Sequence, residues 1–265
     1  MFKYYLRIRF IIIFLIWTTS SLLAQFTPPP GSPLANHEHP RLFFTHNTFQ
    51  NIANYVNTYE ASDFQTFINT LDGIYQTDPS AKQRNLLVLD AKSYSFLCYA
   101  VQSGYFTNYS FGHSAAEYAD KAYQHGVEID SQTRSGQVND DGHTSGILTS
   151  DEGGYLNLSL GVIYDWCYDN LTQSEREFLA KTMEYKYDTR DSEAYPEGKT
   201  KLDNHNTGRA HAGAVGGLAI WGDPLGNVSA AKAQQMLDMV GEIWVDRIWK
   251  MGEHAFEEYA GWGEG

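Results

Sequence analysis

Apolar residues recur at helical spacing along most of this chain. Phe49, Ile52, Tyr55, Val56 and Tyr59 fall on one face of a 3.6-residue period. Phe64, Phe67, Ile68, Leu71 and Tyr75 fall on one face of a second, for which Ser62 is the expected N-cap. A third helix is predicted from about Arg84 to Gln102, with Leu86, Leu89, Leu97, Cys98 and Val101 turned inward. Ser114 to His125 reads as a small-residue helix carrying Ala115, Ala119, Ala122 and Tyr123. From Glu128 to Gly154 the chain is polar and rich in Gly, Ser and Asp, which predicts a long surface loop.

Helices then resume. "GYLNLSLGVIYDWCYDNL" is apolar on nearly every side and is expected to be central. Thr172 with Glu175 makes a capping box that opens "TQSEREFLAKTMEYKY". A second loop, "DTRDSEAYPEGKTKLD", leads into "KLDNHNTGRAHAGAVGGLAIWGD". There Ala210, Ala212, Ala214, Val215, Leu218 and Ile220 alternate with glycines, so a helix in close contact with its neighbours is expected. The polar group Asn204, His205 and Arg209 stands at its entrance, either as satisfied core groups or as a site. "SAAKAQQMLDMVGEIWVDRIW" is the last helix, with Met236, Met239, Val240, Ile243 and Ile248 on one side. No strand ladder is legible. The pattern predicts an all-α fold of stacked helical hairpins in one domain.

The two ends change the picture. Lys3, Arg7 and Arg9, an apolar run from Phe10 to Trp17 and a smaller, more polar stretch ending at Ala24 have the form of a secretory signal peptide, residues 1–24. The run is short for a membrane span, so no stable membrane insertion is expected after cleavage, and residues 25–265 are expected to be periplasmic or secreted. The chain holds 32 acidic residues against 19 basic ones, three of the latter in the leader. That balance argues against general nucleic-acid binding and removes long-range steering of an anionic substrate, while leaving room for a local basic pocket. Cys98 and Cys167 each sit in an apolar helical pattern; export permits a disulfide, but two buried thiols are the expected state. The abundance of Tyr and Trp suits a groove that stacks on sugar rings, or simply a core.

Four stretches in order carry a resemblance: "HPRLFFT", "YDWCYDNLTQSER", the "NHN" stretch and "EEYAGWGEG". Together they resemble heparinase II/III-type polysaccharide lyases over most of the region after the leader. The resemblance implies an incomplete (α/α) toroid of helical hairpins, followed in that family by large β-sandwich domains. This sequence stops at Gly265 before any β region, so it is expected to be truncated at its C-terminal end and, as a fragment, to be inactive alone. The family's zinc lies in the β region, so the resemblance implies no metal and no cofactor here.

A lyase acting on a uronate-containing glycan removes the proton at C5 and expels the C4 oxygen by β-elimination. The C5–H becomes acidic enough only when the neighbouring carboxylate is neutralised, which donors such as Asn, Arg or protonated His can do. A His or Tyr then takes the proton and a Tyr returns one to the leaving oxygen. The resemblance assigns Asn204 to substrate carboxylate binding and His205 to neutralisation or proton abstraction. Arg209, one turn on, adds a guanidinium fork for the same acidic polysaccharide. Tyr259, 54 residues beyond His205, is the matching catalytic tyrosine. The alternatives for these residues are helix capping by Asn204 or Thr207 and plain surface charge for Arg209; His211 is expected to pack.

His37, His39 and His46 lie close enough to suggest zinc ligation, but no further ligand is evident and a structural loop is expected. "NDDGH" lacks the spaced oxygen ligands of a calcium loop. Tyr164, Asp165 and Trp166 are expected to pack rather than to line a groove. Two other functions compete with the lyase: a toroidal glycoside hydrolase using paired carboxylates such as Asp151/Glu152 or Glu257/Glu258, and a secreted glycan-binding module without chemistry.

Overall fold

The computed structural model describes residues 26–134, 150–192, 204–228 and 230–241. The leader expected over residues 1–24 and the candidate tyrosine Tyr259 lie outside them. Among the described residues there is no strand, and the α-helices are α1 (His46–Tyr59), α2 (Ala61–Gly73), α3 (Arg84–Ser103), α4 (Ala115–Arg134), α5 (Ser150–Trp166), α6 (Gln173–Ser192), α7 (Asn204–Ile220) and α8 (Ala230–Gly241). The all-α expectation therefore holds across the described residues.

Local chemistry starts several of these helices. Glu175 N donates to Thr172 Oγ1 at 3.3 Å while Thr172 N donates to Glu175 Oε2 at 2.7 Å, the capping box expected before α6. Ser114 and Glu117 make the same reciprocal pair before α4, and Thr45 with Thr48 does so before α1. Ser62 departs from expectation. A single residue, Glu60, separates α1 from α2; its N–H bonds back to Val56 O and its own carbonyl accepts from Phe64 N at 2.8 Å. Glu60 is thus the cap, and Ser62 is already inside the first turn.

Two boundaries and one face also differ. α4 runs on to Arg134, because the spacing Tyr118, Ala122, His125, Ile129 continues a fully buried stripe beneath a polar outer face. The long loop expected from Glu128 is therefore helical at its start, and helical again from Ser150. On α3, Leu86 and Leu89 are 49% and 55% exposed, whereas Leu87, Val88, Ala91, Tyr94, Leu97 and Cys98 are buried. α3 packs against both α4 and α5, so its buried arc is wide and is centred away from the stripe that a single neighbour would have selected.

Paired contacts give the helix directions. Ser159 Oγ of α5 donates to Val88 O of α3, and Asn170 just beyond α5 reaches Cys98 farther along α3, so these two helices run parallel. Asn157 Nδ2 lies against Ala212 O, and Gly161 against Val215, so α5 and α7 are parallel too. α4, α6 and α8 run the opposite way behind them: His125 faces Asp90, Met183 faces Gly216, and Leu237 faces Gly217. α3, α5 and α7 thus form one layer of parallel helices, backed by antiparallel partners.

The small residues of α7 set its spacing from the neighbours. A Cβ on Gly217 would stand 2.7 Å from Leu237 Cγ and 3.1 Å from Ala233 O; on Gly213 it would stand 3.0 Å from Met236 O. Backbone cannot yield as a side chain can, so Gly217→Val is expected to destabilise by about 1–3 kcal/mol through overpacking. A denaturant midpoint equal to that of the parent protein would show that α8 can move away.

Candidate active site

The layer has two ends of different character. At one end the N-termini of parallel α3, α5 and α7 come together, with the C-termini of α4 and α6 beside them. Asn204, His205 and Arg209 lie in the first two turns of α7, at this end. Asn204 is itself the first helical residue, so Arg209 follows it by somewhat more than a turn. Three aligned N-termini present unpaired N–H groups and positive dipole ends, an environment that favours negative charge. Asp151 and Glu152 occupy the first turn of adjacent α5. Consecutive helical residues diverge by about 100° around the axis. That pair alone is poorly placed to act from both sides of a sugar, as a glycosidase requires. Glu257, Glu258 and Tyr259 lie outside the described residues.

Charged groups flank this end. Lys82, just before α3, pairs with Asp90. His125 of α4 is fully buried behind them, its Nδ1 donating to Lys121 O at 2.8 Å and its Nε2 standing 4.0 Å from Asp90 Oδ2 without a hydrogen-bond partner. Burial lowers the His125 pKa to about 4. His211, one turn into the packed part of α7, is half-buried and its pKa is lowered by burial as well. The expectation that His211 packs therefore holds.

A consequence follows for acid stability. His125 is neutral when folded and takes up a proton below pH 6.5 when unfolded, so the unfolded state binds more protons between about pH 6.5 and pH 4. Stability is expected to fall across that window as pH drops, by on the order of 3 kcal/mol. Replacing His125 by Gln should flatten this limb of a pH–stability curve; an unchanged limb would clear His125 of the effect.

The opposite end is closed by a buried polar knot. Asp165, the penultimate residue of α5, accepts from Leu42 N at 2.7 Å, from Arg41 N at 2.9 Å and from His39 Nδ1 at 2.6 Å. Asp223, after α7, accepts from Arg41 Nη2 at 2.9 Å and from Tyr164 OH at 2.6 Å, with His39 Nε2 3.2 Å away. Arg41 Nη1 donates to Trp221 O at 2.8 Å. The His39 ring stacks on Tyr168 at 3.8 Å, and Arg176 covers that ring at 4.4 Å. Side-chain exposure in His39, Arg41, Asp165 and Asp223 is 0–3%. Burial works against the charge on Asp223, but the hydrogen bond from His39 and the Arg41 guanidinium outweigh it and hold its pKa below the usual carboxylate value. Burial raises the Tyr164 phenol, and Asp223 raises it further.

With no room for a sugar, this knot is a fastening. It ties the N-terminal lead to the C-terminal ends of α5 and α7. The three histidines expected in a structural loop go to three separate tasks. His39 joins the knot, the His37 ring packs on Gly222, and His46 hydrogen-bonds Tyr99 and Tyr105. Gly222 has φ +71, and an added Cβ would overlap the His37 ring, so both conformation and space call for glycine there. Trp166 Nε1 donates to Leu42 O at 3.1 Å, so Tyr164, Asp165 and Trp166 all pack, as expected. Sequence reasoning did not find Arg41 and Asp223 as partners; the one available signal was charged residues beside Pro40 and Pro224 in otherwise apolar surroundings.

Among the described residues no group of three or more His, Cys, Asp or Glu is placed to hold a metal ion, and no helix is long and apolar enough to cross a membrane. Comparison with protein families, curated proteins and solved structures finds no match to this chain.

Proposed function

We propose that this is the helical part of an exported polysaccharide lyase that cleaves a uronate-containing glycan by β-elimination. The observation that carries the reading is the position of Asn204, His205 and Arg209 at the start of α7, where the N-termini of three parallel helices gather. Anion-favouring helix ends and an Asn/His/Arg set suit the chemistry of a substrate whose carboxylate must be neutralised before C5 can lose its proton. In this reading α3, α5 and α7 form the inner wall of an incomplete (α/α) toroid and α4, α6 and α8 its outer wall. Asn204 and Arg209 hold the carboxylate of an acidic polysaccharide. His205 neutralises the developing charge or takes the proton, and Tyr259 serves the leaving oxygen.

The polar knot at the other end gives the site its rigidity. It fixes where α7 ends, and the glycine contacts with α8 fix its spacing, so the first turns of α7 are held by the packed remainder of the helix.

The test is to incubate the protein, at its full natural length, with alginate and with glycosaminoglycans, and to follow ultraviolet absorbance. Elimination leaves a conjugated C4=C5 double bond, so absorbance should rise as chains shorten. Shortening that yields only saturated ends would replace the lyase by a hydrolase. Binding without shortening would leave a glycan-binding module.

A further inference from the structure

The two cysteines of this chain are far apart in sequence, one within α3 and one just after α5, yet the fold brings them together in its interior. Both are fully buried and both thiols are free in this structure. The Cys98 thiol donates to the Cys167 sulfur, and Asn170 Nδ2 donates to Cys98 Sγ at 3.6 Å from the turn that Cys167 begins. The contact with Cys167, then burial, raise the Cys98 pKa well above its ordinary value, which keeps the pair unreactive once the core has closed.

We infer that Cys98 and Cys167 are a disulfide-forming pair, oxidised while the chain folds, which fastens α3 to the end of α5. Sulfurs already in contact need only small side-chain rotations to reach a bond of about 2.05 Å. Each thiol gives up one proton and one electron as the S–S bond forms. The two electrons and two protons pass to the disulfide of an external thiol–disulfide exchange partner, whose two sulfurs leave as thiols. Oxidation precedes burial, because neither sulfur is exposed in the folded protein. Export supplies such a partner in the cell, but the pairing itself depends only on the fold.

The bond would close a loop of roughly seventy residues, long enough for a large restriction of the unfolded chain. It also lies at the same end of the layer as the polar knot: Cys167 follows Asp165 by two residues. A disulfide there would fasten the C-terminal end of α5 twice, once to the N-terminal lead and once to α3.

The experiment refolds the purified full chain in a buffer of oxidised and reduced glutathione, then alkylates it under denaturing conditions. The expected product is a monomer two hydrogen atoms lighter than the reduced chain, with neither cysteine labelled. It should melt on the order of 10 °C above the reduced form. Cys98→Ala and Cys167→Ala should each abolish the redox dependence of the melting temperature. Labelling of both thiols, glutathione adducts without an internal bond, or disulfide-linked dimers would overturn the pairing. So would an equal melting temperature for the two redox forms. Because the refolding is done in vitro, a failure here says nothing against export or against the lyase.

Discussion

Replacing Asp165 by Ala is expected to cost about 3–5 kcal/mol of folding stability, a large share of the roughly 5–15 kcal/mol that a natural domain possesses. The carboxylate accepts from Arg41 N, Leu42 N and His39 Nδ1, all in a region sealed from water. Alanine leaves those donors with neither protein nor solvent to receive them, and an unmade buried hydrogen bond costs more than a made one contributes. It also removes one of two carboxylates facing the buried Arg41, whose Nε has no hydrogen-bond partner and lies 3.9 Å from Asp165 Oδ1. The N-terminal lead should then separate from α5, exposing Leu42 and Phe44 from the core. Equilibrium denaturation measures the loss, and protease cleavage within residues 26–45 reports its location. Asp165→Asn tests the cause. It keeps the volume and one acceptor but directs an NH2 at donors, so it should be destabilising as well. If either variant lost less than about 1 kcal/mol, the knot would not be the fastening described here.

Replacing His205 by Ala should lower lyase turnover by about 10²–10⁴-fold, the range ordinarily contributed by one positioned proton-transfer group. Position 205 lies in the first turn of α7, while the contacts that hold the helix come from Ala212 onward against α5 and α8. The melting temperature of the variant should therefore stay near that of the parent protein. Glycan affinity should change much less than turnover, since Asn204 and Arg209 remain. That split separates chemistry from binding. Measured on the full natural chain, unchanged turnover would remove His205 from the reaction. Parallel losses of affinity and turnover would make it a binding residue.

Much of the helical scaffold could be read from the chain because the signals are local. Period-3.6 stripes located every described helix. Thr172 with Glu175 marked a start that the structure forms, and the glycine run after Arg209 announced the close contact with α8. Asn204, His205 and Arg209 were legible as a group at a helix entrance, and α7 does begin at Asn204. Errors arose where a neighbour decided the outcome. Leu86 and Leu89 match an inward stripe but face solvent, because two helices pack on α3 and define a different buried arc. Polar residues after His125 concealed the continuing stripe of α4, whose buried side is narrow.

The sequence by itself determined that the described chain is helical, where most helices begin, and which of them must approach closely. Each of these follows from residues within a turn or two of one another. Tertiary structure alone decided how the polar residues are used. His39 meets one carboxylate 126 positions away and another 184 positions away. Cys98 meets Cys167, and three separate helix starts come to one end of a layer. Periodicity reports that a side chain is buried but not what it is buried against. A buried charge must be satisfied by whatever the folded layers bring to it, and that choice is made only when the parallel helices α3, α5 and α7 are set side by side.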